Sequence, residues 1–210
     1  MYNYPKYQSY DQTYNTGYSN QNFLNKLKEY ANRQRYYDTM YGGNYVSNDN
    51  YGYCPNDSYN NPNCYMTFNG QNLGLYNNMG QYANLDAQSG HRDYQSSRYQ
   101  NVANKGPLPE GIYYANQDQR QNISLIDSII GFGKRGKWPG SIPAWGINRV
   151  WLQPDENTDT YGRSGFTIHG GLSKGSAGCI DIPWQTGKLN DYLDDCQESV
   201  PVYVKYPNNW

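Results

Sequence analysis

The sequence holds two histidines and four cysteines, and one of each falls in a single stretch, FTIHGGLSKGSAGCIDIP, at residues 166–183. FTI reads as a strand that delivers His169 at its end. Gly170-Gly171 follow, then Gly175, Ser176, Ala177 and Gly178 lead into Cys179, which opens a second strand-like run, CIDI. Two short strands joined by a Gly-rich loop can bring their ends together and place an imidazole beside a thiol, the arrangement that nucleophilic cysteine catalysis needs. A free thiol titrates near ~8.5 and is mostly protonated at neutral pH, whereas a neighbouring imidazolium stabilises the reactive thiolate. The small residues before Cys179 leave room for a substrate backbone and let successive N–H groups point at a developing oxyanion. Spacing alone leaves a second reading open: a cysteine packed as a small hydrophobe, and a histidine that satisfies a local hydrogen bond.

The elements that must position this pair begin near Cys64. YMTFNGQNLGLYN alternates apolar and polar residues around Asn69-Gly70, a strong hairpin pattern. GPLPEGIYYA reads as a turn leading into a strand, and WGINRVWLQP, GFTIHGG, CIDIP and VPVYVKY as further short strands rich in β-branched and aromatic residues. Helical periodicity appears in ISLIDSII and in TGKLNDYLDDC. Many short strands with two minor helices predict a mostly β domain, a sandwich or a partly closed barrel.

Upstream, the texture differs. Of 25 tyrosines, 19 precede Gly106, and residues 1–22 and 41–63 are rich in Tyr, Asn, Ser and Gly with almost no aliphatic side chains. This composition reads as low complexity, with one amphipathic helix candidate over 23–41. The division is therefore a head, 1–63, and a catalytic domain, 64–210. Cys54 and Cys64 bracket a PNDSYNNPN loop that a short disulfide could close, or they are two unpaired thiols; Cys196, on the predicted terminal helix, is expected to pack. A net charge of -1 gives no electrostatic reason to expect nucleic acid or an anionic membrane. No stretch approaches the ~20 apolar residues of a membrane span, and the N-terminus lacks a basic-then-apolar secretory signal. No metal-ligand cluster is evident, so a structural zinc site is not expected, and cysteine chemistry requires no metal or organic cofactor.

Other residues carry weaker chemistry. Arg149 and Arg163 are candidates for binding a carboxylate, with solvated side chains as the alternative. Trp138, Trp145, Trp151 and Trp184 suit a peptide cleft but are expected mainly in the core. His91 lies in a polar loop outside the motif, and Lys134, Arg135 and Lys137 form a basic turn expected to be solvated.

The 166–183 stretch resembles the active-site signature of the L,D-transpeptidase (YkuD-like) superfamily: His169-Gly170, a Gly-rich loop, Ser176, then Gly178-Cys179 and Ile180. It is most similar to the L,D-transpeptidase-like toxins delivered by type VI secretion, which share the short His-to-Cys loop and the upstream pattern MTFNGQNLGLY, Ser89-Gly90, GPLPEGIYY and WGINRVWLQP. The resemblance covers roughly residues 64–206. It implies a β-rich domain acting on peptidoglycan stem tetrapeptides as an L,D-carboxypeptidase or L,D-transpeptidase. Cys179 would be the nucleophile, His169 the base, and the Gly170 carbonyl its orienter; the Ala177, Gly178 and Cys179 amides would bind the oxyanion, with Ser176 supporting the motif. It further implies manufacture in the cytoplasm, action in a target cell's periplasm, a delivery component and an immunity protein. The superfamily usually has His-Gly-Cys and an Arg or Asn soon after it, where this chain has Ala177-Gly178-Cys179 and Asp181; an anion there is expected to repel the substrate's carboxylate. The rival readings are a housekeeping L,D-transpeptidase of the producer's own wall and a non-catalytic wall-binding or structural protein.

Overall fold

In the computed structural model, the described residues are 64–133, 136–196 and 199–207. The Tyr-rich head, the helix expected at 23–41, Cys54, Lys134 and Arg135 lie outside them. Eight strands form one sheet: β1 (Cys64–Phe68), β2 (Asn72–Asn77), β3 (Gly80–Asp86), β4 (Gly111–Asn122), β5 (Asn148–Pro154), β6 (Thr167–His169), β7 (Ile180–Asp181) and β8 (Val200–Val204). Their order is β3-β2-β1-β8-β4-β5-β6-β7, and the sheet curls as a half-barrel. Of the two expected β architectures this is the partly closed barrel.

The hairpin at Asn69-Gly70 is present. The Asn69 side chain accepts from the amides of Gln71 and Asn72, and Gly70 has a φ of 96°, the left-handed region that glycine enters without a Cβ clash. The last strand, β8, inserts between β1 and β4, parallel to the first and antiparallel to the second. Strand alternation turns Met66, Phe68, Val202, Val204, Tyr113, Val150 and Leu152 into one core with Ile168, Ile180 and Ile182.

Helices α1 (Leu125–Phe132) and α3 (Thr186–Asp195) fall on the two predicted helical stretches. Leu189, Tyr192 and Leu193 bury the inner face of α3. The Tyr192 hydroxyl reaches the carbonyls of Tyr76 at 2.7 Å and Tyr65 at 2.9 Å, which ties the helix to the first hairpin. In α1 the Ser124 hydroxyl accepts from the Asp127 amide and caps the helix. Its small residues, not its aliphatic ones, meet the domain: Ser128 bonds Ser141, Gly131 lies against the Trp138 carbonyl, and Leu125, Ile126 and Ile129 are exposed.

An edge strand and a short helix are among the elements not anticipated. Strand β3 buries only Leu85, so as an edge strand it lacks a two-residue apolar period. Helix α2 (Ser141–Trp145) has five residues, begins at left-handed Gly140 and contains Pro143, too short for a helical period to show.

The cysteine pairing differs from both readings offered for Cys54 and Cys64. Cys64 is bonded to Cys196, across 132 residues, joining the start of β1 to the end of α3. Proximity in sequence favoured the 54–64 loop, whereas the fold brings the two ends of the domain together. The Gln117 amide, on the irregular stretch of β4, donates to the Cys196 carbonyl at 2.6 Å and also to that of Leu193. A disulfide is typically worth about 2–4 kcal/mol through the unfolded chain, and a loop this long lies at or above the upper end of that range. In a Cys54→Ser background, reduction or Cys196→Ser should lower the thermal midpoint by roughly 5–15 °C. An unchanged melt would mean that the bridge does not form or does not hold the domain.

Candidate functional site

Strands β6 and β7 run parallel, with Ile168 opposite Ile180 and His169 opposite Asp181. Side chains alternate along a strand, so the register sorts them into two sets. Ile168, Ile180 and Ile182 enter the core, and Thr167, His169, Cys179 and Asp181 share the other face. The apolar set fixes the register, because a slip of β7 by one residue would turn Ile180 and Ile182 out of the core. The expected imidazole and thiol are thereby brought to the same face.

The loop between the strands needs its glycines. A Cβ on Gly171 (φ 120°) would lie 2.7 Å from the Ala144 carbonyl oxygen, and one on Gly178 (φ 86°) would lie 2.7 Å from an Arg163 nitrogen and 2.9 Å from the Phe166 ring. Ala177 and Gly178, immediately before the sulfur, are buried.

The site is enclosed: Cys179 is 2% exposed, His169 3% and Asp181 1%. Burial at this level requires every polar group to find a partner. The Thr167 hydroxyl donates to the Cys179 sulfur at 3.3 Å, and the sulfur lies 3.9 Å from the Gly165 carbonyl. His169 places Nδ1 2.8 Å from the Gly170 carbonyl and Nε2 3.0 Å from Asp181 Oδ1. The Trp145 ring packs 4.8 Å from the imidazole. Asp181 Oδ2 accepts the Gly175 and Ser176 amides at 2.6 and 2.7 Å, and Oδ1 accepts the Ser176 hydroxyl at 2.6 Å.

Electrostatics follow from these contacts. Burial disfavours the imidazolium, but the Asp181 carboxylate, the Cys179 sulfur and the Gly170 carbonyl outweigh it and push the His169 pKa up to about 9. Burial pushes the Asp181 carboxyl up, while His169, Ser176 and Gly175 pull it back. Two backbone N–H groups on Oδ2 make that oxygen an acceptor only. The site's mobile proton therefore lies on the Oδ1–Nε2 contact.

Asp181 corrects the expectation that an anion here would face and repel the substrate. Both its oxygens are turned into the protein, and its backbone pairs with Gln88 in an isolated bridge. Ser176 braces the same turn, and its carbonyl accepts from the Gly90 amide at 2.8 Å. The Gln88–Gly90 segment is thus part of the site's frame; its only trace in the sequence is Ser89-Gly90.

Neither arginine is solvated. Arg149 is 2% exposed. It donates through Nε and Nη2 to Gln121 at 3.0 and 2.8 Å and stacks over Trp138, Trp145 and Trp151 at 4.1, 4.7 and 4.8 Å. Arg163 clasps the carbonyls of Gln100, Gly106 and Pro107 at 2.5 to 2.8 Å, which ties the β5–β6 loop beside Gly178. Trp138 and Trp184 are buried; Trp145 and Trp151 are partly exposed. His91 sits in a loop with its amide on the Lys105 carbonyl, and Lys137 is exposed. Among the described residues no group of three His, Cys, Asp or Glu side chains could hold a metal ion.

The family model of the Tlde1 domain matches residues 83–200, which include every residue of this site. The chain belongs to the Tlde1 domain family, the L,D-transpeptidase-like effectors of type VI secretion. No curated protein sequence matches it. Among solved structures it is similar to L,D-transpeptidase 1 of Mycobacterium tuberculosis at 14% identity and a TM-score of 0.39, covering 69% of this chain and 62% of that one. It is also similar to an L,D-transpeptidase from Mycobacterium smegmatis at 13% identity and 0.38, covering 68% and 58%. An Enterococcus faecium L,D-transpeptidase gives 15% identity and 0.39, covering 68% and 49%. The chain thus spans less than two thirds of the length of each of these proteins.

A buried cation stacked on three indoles is structural. Arg149→Met should therefore lower stability by roughly 2–3 kcal/mol, read as a fall in the denaturation midpoint. A raised KM with unchanged stability would instead assign Arg149 to substrate binding.

Proposed function

We propose that this chain is a cysteine-dependent enzyme that modifies peptidoglycan stem tetrapeptides. The observation that carries the reading is the single sheet face holding Cys179, His169, Thr167 and Asp181, together with membership of the Tlde1 domain family. In the proposed reaction the Cys179 thiolate attacks the carbonyl of the third, diaminopimelate-like residue. The tetrahedral oxyanion is met by the Ala177, Gly178 and Cys179 amides. Collapse breaks the bond to the terminal D-amino acid, the His169 Nε2 proton leaves its Asp181 contact for that amine, and a thioester remains on Cys179. Water then resolves the thioester as an L,D-carboxypeptidase, or an amine resolves it by exchange or cross-linking. In this scheme His169 serves first as the imidazolium partner of a resting thiolate, and no metal or organic cofactor takes part.

The family further supports an antibacterial effector acting in the periplasm of a target cell, with a delivery component and an immunity protein as partners. No helix among the described residues is long and apolar enough to cross a membrane. Residues 64–210 would form the catalytic unit and residues 1–63 a head serving loading or transit.

Purified protein incubated with tetrapeptide muropeptides should release the terminal D-amino acid, and Cys179→Ala and Cys179→Ser should abolish release while keeping the wild-type circular dichroism. A carbapenem-type acylating agent should leave one adduct, on Cys179; an adduct elsewhere with Cys179 untouched would end the assignment. His169→Ala should slow acylation at least ~100-fold at neutral pH, with partial recovery as pH rises and hydroxide forms the thiolate. Since the imidazolium persists to about 9, wild-type activity should decline only above that pH. A decline centred near the ordinary histidine value would contradict the thiolate–imidazolium form.

A further inference from the structure

We propose that Asp181 is a positioning residue of this site, holding His169 through Nε2 and, with the same carboxylate, setting the Gly175–Ser176 turn that leads to the nucleophile. The proposal rests on the reading of Cys179 and His169 as the reacting pair, and it departs from a site in which a backbone carbonyl alone orients the imidazole.

The geometry is a clamp with two acceptors. Gly170 O faces Nδ1 at 2.8 Å, and a carbonyl can only accept, so Nδ1 carries hydrogen. Asp181 Oδ1 faces Nε2 at 3.0 Å. With the proton of the Oδ1–Nε2 contact on nitrogen the ring is a cation, and a buried carboxylate beside an imidazole stabilises that form. The cation in turn favours a thiolate at Cys179, whose sulfur already accepts from Thr167. The raised pKa of His169 agrees.

Other charges near the ring do not supply this. Arg149, opposite His169 on β5, carries like charge, and its guanidinium is held by Gln121 and the tryptophans. Lys174, in the loop, pairs with Asp86. Among the described residues, Asp181 is the carboxylate that acts on the ring.

The same carboxylate gathers the two amides and the hydroxyl of Gly175 and Ser176, so the position of the base and the shape of the nucleophile loop are set together. Asp181→Asn separates the two duties, since the amide oxygen can still accept from the loop but the charge is gone. Iodoacetamide alkylation of Cys179, mapped by mass spectrometry across pH, reads thiolate formation directly. In Asp181→Asn its midpoint should move up by one pH unit or more, with kcat on muropeptides down at least about tenfold at neutral pH. Ser176→Ala, which loses one loop contact and keeps the charge, should weaken the fold or the rate without moving the midpoint. An Asp181→Asn midpoint equal to wild type would reduce Asp181 to a loop brace and overturn the proposal, whatever the rate. If that variant does not fold, NMR titration of the wild-type His169 ring decides, with His91→Gln assigning the two histidines. A ring that stays protonated well above the ordinary histidine range supports the clamp, and one that titrates within that range overturns it. Wild-type protein that shows the raised titration but neither cleaves nor acylates would retain the clamp and reject the enzymatic reading.

Discussion

The parallel pairing of β6 with β7 is the constraint on which the rest of the site depends. Three isoleucines on one face have one way into the core, and that choice fixes Thr167, His169, Cys179 and Asp181 on the other. The hydrophobic effect, acting on residues that do no chemistry, thus sets the alignment of those that can. Its consequence is burial of four polar groups almost completely. An unsatisfied group at that depth costs on the order of 1–3 kcal/mol, so the surroundings are arranged as partners: a hydroxyl for the sulfur, two acceptors for the imidazole, and three loop donors and a ring nitrogen for the carboxylate.

The register extends beyond these two strands. Gln121 on β4, Arg149 on β5, His169 on β6 and Asp181 on β7 are successive partners across the sheet, and Gln88 closes the row by a backbone bridge. Buried charge in this row is never solitary. Arg149 has an amide oxygen and three indole faces, and the His169–Asp181 pair is saturated with hydrogen bonds. Such an arrangement costs solvation and returns position. Around it, Arg163 gathers three carbonyls of the 100–107 loop, and Trp145 covers the imidazole.

The disulfide works at the opposite end of the sheet. It joins the strand that opens the described fold to the helix that precedes its last strand, while β8 lies between β1 and β4. The first strand, last helix and last strand of the described fold are therefore held in the same neighbourhood, through hydrogen bonds in the sheet and one covalent bond beside it.

Local pattern by itself determined several features. Asn69-Gly70 specified a hairpin because its turn needs only those residues, and the strands around residues 113, 150, 168 and 202 were legible from their β-branched and aromatic runs. His169 and Cys179 were legible as a pair because a single Gly-rich loop separates them. Other features depend on contacts between segments distant in sequence, where no local period records the partner. The Cys64–Cys196 bridge, the insertion of β8 and the Gln121–Arg149–tryptophan cluster are of this kind. Helix α1 shows the same limit: its periodicity marked a helix, yet tertiary packing chose Ser128 and Gly131 as the inner face, since only small side chains fit against Trp138 and Ser141. Asp181 is the sharpest instance. Its charge suggested repulsion of a substrate, and only the turn of Gly175 and Ser176 over the neighbouring strand decided that the carboxylate faces inward, where three donors and a buried imidazole hold it.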